Sequence, residues 1–362
     1  MRKTSWFIVA VVVWLLPFAS GCGGGSGAGG GMDAAQIPPG PNGNPNGHCA
    51  VPSAGLAADV SSPTTVVGTG SATSCTASAV AAAVAGGGVV TFNCGPDPVT
   101  ITVPELKIFN DGGLGDGSLS IDGGGLVTLS GGGANRILYQ NTCDESLHFT
   151  STRCDLQTTP HLVVQNIAFA DGHTPGDATA FGGGAIYVSG GTFKAFNIRV
   201  TNSTQSTTHD DWAGGAIYTV EQSQPVFIVN STFDGNSACN GGALGSIGTW
   251  WSIYNSVFKN NHTLTTGGQG GGAIYNDGNS YTLSICGSDF ESNVAASAVS
   301  LGSGSIFQVV DDLKGALVID QSTFTGNSNT GSVQSSSHPS IYVQATDSDG
   351  NGGVTITATA FN

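Results

Sequence analysis

Side chains that could do chemistry are concentrated in four polar stretches, residues 170–181, 201–213, 259–269 and 328–338. Four of the seven histidines lie in these stretches, together with several acids and a tryptophan: His173, His209, His262, His338, Asp171, Asp177, Asp210, Asp211 and Trp212. Histidine near carboxylates can bind a metal ion or supply an acid and a base for cleavage of a sugar chain. Tryptophan can stack on a sugar ring. A solvated polar surface without any ligand would have the same composition.

Two functional hypotheses follow from these residues. The nearest approach to a catalytic cluster is the run His209, Asp210 and Asp211. The candidates for ligand binding are Asp171, His173, Asp177, Trp212 and His262. No cofactor is expected apart from a bound cation such as calcium. The chain lacks P-loop, HExxH and GxSxG motifs and a zinc-spaced cysteine set, so a non-catalytic role is favoured.

The elements that must position these stretches are repeats. The pattern Asn-x-x-Phe-x-x-Asn alternates with Gly-Gly-Ala-Ile-Tyr, and its phenylalanine position falls at residues 169, 200, 233, 258, 290, 324 and 361. Repeats of this length predict a stacked array, because one unit cannot bury its own apolar face. The runs around each phenylalanine are rich in β-branched and aromatic residues and show no helical apolar period. We therefore predict an all-β parallel β-helix over residues 63–362, with coils about 4.8 Å apart.

Each repeat residue has a predicted structural role. The phenylalanines stack inward on one another in successive coils. The asparagines on either side suit corners, where they adopt left-handed backbone or form ladders between coils. The alanine-rich residues 76–85 predict a short helix that plugs the open end of the first coil.

The spacing of the two motifs also places the polar stretches. The distance from each phenylalanine position to the next isoleucine position varies, which indicates that loops of variable length leave one corner of successive coils. We therefore expect His173, His209 and His262 to lie on one side of the solenoid, with Asp171, Asp210 and Asp211.

These motifs resemble the repeats of polymorphic outer-membrane proteins and related bacterial right-handed β-helix proteins. The matches are GGGAIY at 182–187, GGAIY at 214–218, GGAL at 241–244 and GGGAIY at 270–275, with FDGN, FKNN, FESN and FTGN between and after them. The resemblance covers about residues 160–362, and residues 75–133 look like the entry coils of secreted β-helix proteins. It implies a right-handed β-helix, and many members of the family are surface adhesins.

Other parallel β-helix proteins are enzymes, so an enzymatic function must also be considered. Pectate lyases resemble one another in an acidic calcium cluster beside a basic residue, and the few basic residues here do not lie near paired aspartates in the sequence. Strings similar to those of polygalacturonases are missing. We therefore expect a non-catalytic protein with a binding or adhesion role. The alternatives are a polysaccharide-active lyase or hydrolase with its site on the stacked loops, and a structural spacer.

The amino end predicts export and anchoring. Arg2 and Lys3 precede an apolar run of 13 residues, 6–18, which is too short to span a bilayer and suits a signal peptide. The run ends in Ala-Ser-Gly-Cys, which resembles a bacterial lipobox. We predict a signal peptide at 1–21, lipidation of Cys22, and a glycine- and proline-rich linker to residue 62, flexible over 23–47. Gly23 favours the outer membrane and the cell surface, and simple secretion is the alternative.

The net charge of the chain limits which classes of partner it could bind. Without the two basic residues of the signal peptide, the chain has 9 − 2 = 7 basic and 24 acidic residues, a net charge of −17. This excludes nucleic acid as a partner, because phosphate recognition needs clustered lysine and arginine. The expected partners are a membrane, reached through the lipid anchor, and carbohydrate or a cell-surface protein.

Eight cysteines in an exported chain predict disulfides. Cys75 should pair with Cys94, and Cys143 with Cys154, because each pair is close in the sequence. Cys239 and Cys286 should be two coils apart, roughly 10 Å, which is beyond disulfide reach. They are therefore expected to be buried thiols, with Cys49 left over. If Cys22 is lipidated, seven cysteines remain and at least one should be unpaired.

Overall fold

The computed structural model describes residues 42–110, 118–149, 154–174, 182–205, 213–264, 270–295, 302–312, 314–330, 340–344 and 353–362. It contains one α-helix, α1 (Ala77–Gly86), and short 3-10 turns at Ser53–Gly55, Ala72–Ser74, Glu145–Leu147 and Cys154–Leu156. The strands in chain order are β1 (Thr65–Val67), β2 (Gly88–Phe92), β3 (Val99–Thr102), β4 (Leu106–Lys107), β5 (Leu119–Asp122), β6 (Val127–Ser130), β7 (Leu138–Asn141), β8 (His161–Gln165), β9 (Ala168–Ala170), β10 (Ile186–Ser189), β11 (Thr192–Phe196), β12 (Arg199–Thr201), β13 (Ile217–Val220), β14 (Val226–Val229), β15 (Thr232–Asp234), β16 (Ser237–Ala238), β17 (Leu244–Ile247), β18 (Trp251–Tyr254), β19 (Val257–Lys259), β20 (His262–Thr263), β21 (Gly270–Gly271), β22 (Ile274–Asp277), β23 (Thr282–Cys286), β24 (Asp289–Glu291), β25 (Val294–Ala295), β26 (Gly302–Ser303), β27 (Ile306–Val309), β28 (Ala316–Asp320), β29 (Thr323–Thr325), β30 (Ser328–Asn329), β31 (Ile341–Gln344), β32 (Gly353–Thr357) and β33 (Ala360–Phe361).

The strands form three long parallel sheets that run the length of the solenoid. The first sheet is β1-β2-β5-β8-β11-β14-β18-β23-β28-β32, the second is β3-β6-β9-β12-β15-β19-β24-β29-β33, and the third is β4-β7-β10-β13-β17-β22-β27-β31. Two small sheets, β16-β20-β25-β30 and β21-β26, lie between the second and third sheets in the order of a coil. The predicted all-β parallel β-helix is therefore confirmed.

The helix α1 packs against the first coil, as the alanine-rich sequence predicts. It contacts β1 and β4, and its residues Val80, Ala83 and Val84 are buried. The Thr76 side chain accepts a hydrogen bond from the backbone amide of Ala79 and caps the N-terminus. Within the described residues, no helix has the length and apolar character that a membrane span requires.

The phenylalanines of the repeat stack along the core. Ring centroids are 4.9 Å apart for Phe233 and Phe258, 4.8 Å for Phe258 and Phe290, and 4.6 Å for Phe290 and Phe324. This spacing equals the distance between neighbouring strands, so each ring lies almost parallel to the ring above it. The rings from Phe233 to Phe324 are fully or almost fully buried.

The two asparagine positions of the repeat have different roles. Upstream of the phenylalanine, Asn166, Asn197, Asn230 and Asn255 adopt left-handed backbone with φ of 49°, 53°, 48° and 48°. Downstream, the side chains of Asn236, Asn261, Asn293 and Asn327 form a buried ladder, in which each amide donates to the next Oδ1. The ladder satisfies backbone groups where the chain turns out of the second sheet.

Residues 42–58, the N-terminal strap, lie across the outer side of the first sheet instead of forming a free linker. Asn42 makes two hydrogen bonds with Asn197, and the backbone amide of Asn44 donates to the carbonyl of Asn255 at 2.9 Å. The chain then turns at Cys49 and returns until Ala58 makes two hydrogen bonds with Gln165. The flexibility expected for residues 42–47 is therefore wrong. The composition lacks apolar residues, but the corner asparagines offer amide groups that pair with the strap.

The strap also corrects the predicted cysteine chemistry. Cys49 forms a disulfide with Cys286, with Cα atoms 5.9 Å apart, so neither residue is a thiol. The prediction compared Cys286 only with Cys239 along the solenoid and did not consider a segment crossing the coils from outside. Cys239 is fully buried but is also disulfide-bonded, so the expectation of a thiol is wrong there too. No cysteine among the described residues is free.

The other two disulfides are those expected. Cys75 pairs with Cys94, with Cα atoms 5.6 Å apart, and joins the start of α1 to the end of the second strand. Cys143 pairs with Cys154, with Cα atoms 4.9 Å apart, within the polar excursion between β7 and β8. Cys22 lies outside the described residues.

Candidate functional site

The loop corner lies where each coil passes from the second sheet to the third. Parallel pairing aligns one residue from each coil there. The aligned residues are His173, Thr204, Ser237, His262, Val294 and Ser328. The chain also returns from the corner in register, since Gly182 pairs with Ala213, Ala213 with Asn240, and Gly270 with Gly302. Loops in successive coils therefore leave and re-enter the scaffold at aligned positions.

His173 and His262 share this column, as the motif spacing predicts, but they do not share a site. Three coil steps separate them, which is roughly 14 Å at the spacing of β-strands. His173 is half-buried, and burial lowers the pKa of its imidazole, whereas His262 is exposed. Asp171 precedes His173 by two residues and has left-handed backbone with φ of 51°.

The other predicted site residues are not among those that the structure describes. They are Asp177, His209, Asp210, Asp211 and Trp212. In the part of the chain that the structure describes, no group of three or more His, Cys, Asp or Glu side chains could hold a metal ion.

A second group of carboxylate and aromatic side chains lies at the corner between the third and first sheets. The sequence alone did not predict it. Here Glu221 follows β13, and Tyr281 and Trp250 precede the adjacent strands β23 and β18. The Tyr281 hydroxyl lies 3.5 Å from Oε2 of Glu221, and the rings of Trp250 and Tyr281 are 4.5 Å apart with a tilt of 57°. Asp155, from the disulfide-closed excursion, raises the pKa of the Glu221 carboxyl group through charge repulsion. We call these four residues the carboxylate–aromatic corner.

The backbone position of Glu221 is unusual for a side chain of its size. Strand pairing aligns it with Gly190 in the coil before and Gly248 in the coil after, and both glycines have positive φ, 67° and 69°. Glu221 has φ of 46°, a conformation that residues with a Cβ rarely adopt. The sequence signal for this site was a glutamate four residues after Ile217, where the equivalent residue after Ile186, Leu244 and Ile274 is glycine.

The electrostatics of the corner disfavour a charged carboxylate. Burial raises the pKa of Glu221, repulsion from Asp155 raises it further, and the hydrogen bond from Tyr281 offsets part of the change. Burial and the neighbouring Glu221 also raise the pKa of the Tyr281 hydroxyl. Among the described residues, neither Glu221 nor Asp155 forms a salt bridge.

A third polar cluster, around Arg136, supports the scaffold. The guanidinium is fully buried, pairs with Glu105 at 2.9 Å, and donates to the carbonyls of Gly182 and Gly183. It also lies over the ring of Tyr139, whose centroid is 5.4 Å away. Its donors hold the chain where it returns from the loop corner, so this arginine is engaged within the protein.

No protein-family model matches the chain, and neither the curated proteins nor the solved structures contain a match to it.

Proposed function

We propose that this protein is a surface-displayed, non-catalytic β-helix lipoprotein that binds carbohydrate or a cell-surface protein through its loop corner. The observation that carries the proposal is the alignment of loop departure and return points over successive coils. Such alignment supports an extended binding face, because variable loops on one side of a solenoid form a continuous surface.

The path of the strap supports display. It packs on the first sheet, whereas the loop corner lies between the second and third sheets in the order of a coil. The described part of the strap, residues 42–58, therefore does not cross the loop corner. The predicted signal peptide, lipobox and resemblance to polymorphic outer-membrane proteins support placement at the outer membrane.

The proposal is tested by binding of the mature chain to a glycan array and to host or bacterial cells. Replacing residues 206–212 with a Gly-Ser segment of equal length should weaken binding by at least about tenfold, since it removes one aligned loop. The control replaces the exposed residues Gln224 and Pro225 on another corner and should bind normally. Binding that survives replacement of each loop in turn would contradict the proposal.

The enzyme alternative has its own distinguishing result. Depolymerisation of an acidic polysaccharide, lost in both Asp210→Ala and Asp211→Ala, would establish a polysaccharide-active enzyme instead. A wild-type chain that binds no glycan or cell and degrades no polysaccharide would favour the structural spacer.

A further inference from the structure

We propose that the carboxylate–aromatic corner, formed by Glu221, Asp155, Tyr281 and Trp250, is a binding site for an organic ammonium group. This site is separate from the loop corner and does not depend on the function proposed there. The ligand would be either a lysine side chain of a partner protein or a small quaternary ammonium compound.

The first step is that the fold makes room for the side chains of the corner. An added Cβ on Gly248 would lie 2.9 Å from Cδ of Glu221, and one on Gly278 would lie 2.8 Å from the Tyr281 ring. Two glycines in adjacent coils therefore allow a carboxylate and a phenol to approach each other. This close approach requires left-handed backbone at Glu221, which is strained for glutamate. A glycine would adopt the same conformation without strain.

The second step is charge. Glu221 and Asp155 repel each other, and in the described part of the chain no basic side chain pairs with either. Glu221 is also half-buried, so water compensates its charge only in part. A ligand that brings a positive charge would relieve both the repulsion and the loss of hydration.

The third step is the choice of cation. Aromatic rings next to a carboxylate attract organic ammonium groups through the ring quadrupole as well as through charge. A metal ion is disfavoured, because calcium takes six to eight oxygen ligands and this corner offers two carboxylates. Neutral sugar is disfavoured as well, since the Trp250 and Tyr281 rings are tilted by 57° and do not form one flat stacking surface.

Calorimetric titration of the mature, disulfide-bonded chain tests the proposal. The probes are tetramethylammonium chloride and N-acetyl-lysine methylamide, with sodium chloride at equal ionic strength as the reference. Wild-type protein should bind one of the two probes more tightly than sodium. Preference for tetramethylammonium would point to a small quaternary ligand, and preference for the lysine derivative to a partner protein.

The variants separate binding from folding. Glu221→Gly and Glu221→Gln should each weaken binding by at least about tenfold, as expected when the charged partner of a cation is removed. Glu221→Gly suits the left-handed position, so unchanged circular dichroism and thermal midpoint will show that it folds. Trp250→Leu should also weaken binding. Asp234→Asn, which removes a carboxylate from the second sheet, should leave it unchanged.

Two results would overturn the site. One is wild-type protein that binds neither probe above the sodium reference, and the other is Glu221→Gly protein that binds as tightly as wild type. Replacement of residues 206–212 should leave ammonium binding unchanged, so failure at the loop corner and failure here are distinguishable.

Discussion

The side-chain amide of Asn236 donates a hydrogen bond to Oδ1 of Asn261 in the next coil, at 3.0 Å. The same oxygen accepts from the backbone amide of Asn236, and the amide nitrogen of Asn261 donates to the carbonyl of Phe233. The Asn261 side chain thus satisfies buried groups in the coil before it, and it also donates to Oδ1 of Asn293 in the coil after it. The ladder joins coils at a turn where strand pairing alone leaves backbone groups unpaired.

Removing one step of this ladder should be costly. Asn261→Ala leaves the backbone amide of Asn236 buried without its partner, which costs about 1–3 kcal/mol, and it removes one hydrogen bond from the carbonyl of Phe233. Urea unfolding should show a total loss of roughly 2–4 kcal/mol. The control is Asn260→Gly next to it, where the residue is exposed and left-handed with φ of 55°. That change should be nearly neutral, and equal losses in the two variants would contradict the assignment.

The phenylalanine column predicts a position-dependent effect. Phe258 lies between Phe233 and Phe290, so Phe258→Ala should lower the free energy of unfolding by about 3–5 kcal/mol. Phe361 stacks on Phe324 and is not fully buried, so Phe361→Ala should cost less. Thermal and urea unfolding give both values. A loss below about 1 kcal/mol for Phe258→Ala would show that the ring contributes little to the core.

The Cys49–Cys286 disulfide should protect the strap from proteases. In Cys286→Ser, or after selective reduction, cleavage within residues 42–58 should become at least several times faster, because only hydrogen bonds then hold the segment. The matched control is Cys143→Ser, which should leave the strap protected. Mass spectrometry of limited digests locates the cuts. Equal strap cleavage in wild type and Cys286→Ser would show that the hydrogen bonds suffice.

Glu221 should make stability depend on pH in a defined direction. Its pKa is raised in the folded protein by burial and by Asp155, so folding favours its protonated form. Its contribution to stability is therefore full below the ordinary glutamate pKa and is lost as pH rises through the raised value. Glu221→Gln should be more stable than wild type at neutral pH, and the difference should disappear in acid. A constant difference across this range would exclude titration of Glu221 as its cause.

Lipidation of Cys22 is open to direct labelling. It is incompatible with a disulfide at Cys22, and Cys22 is the one cysteine of the sequence left to pair with the disulfide-bonded Cys239. Cells supplied with radioactive palmitate should label the wild-type protein, and Cys22→Ser should abolish the label, because the thiol is the attachment point. Ser20→Ala serves as the control, since it keeps a small residue before the cysteine. Unlabelled wild-type protein in the culture medium would indicate simple secretion.

Sequence periodicity was sufficient to predict the scaffold and the alignment of two histidines at the loop corner. The phenylalanine and isoleucine spacings predicted the register that places His173 and His262 in one column. They could not predict proximity, because the column alone leaves three coil steps between these histidines. The short sequence separation of their partners was likewise sufficient to predict the Cys75–Cys94 and Cys143–Cys154 disulfides.

The features that the sequence did not reveal depend on contacts between distant segments. The Cys49–Cys286 disulfide joins residues 237 positions apart, through a strap whose composition indicated flexibility. The carboxylate–aromatic corner needs Asp155 from an excursion and Glu221 from a turn two coils of sequence away. A glutamate in a column of glycines was visible beforehand, but its neighbours were not.

The N-terminal strap also determines where mechanical force would enter the protein. Tension applied through residues before Asn42 would meet the solenoid at its flank and pass to the coil of Cys286 through a covalent bond. The coils between Cys49 and Cys286 would then be shielded from stretching, because the disulfide bypasses them. Force applied between the two ends of the chain would pass through the residues before Cys49, the disulfide and the segment after Cys286. A solenoid held this way would resist being peeled apart coil by coil from its N-terminal end.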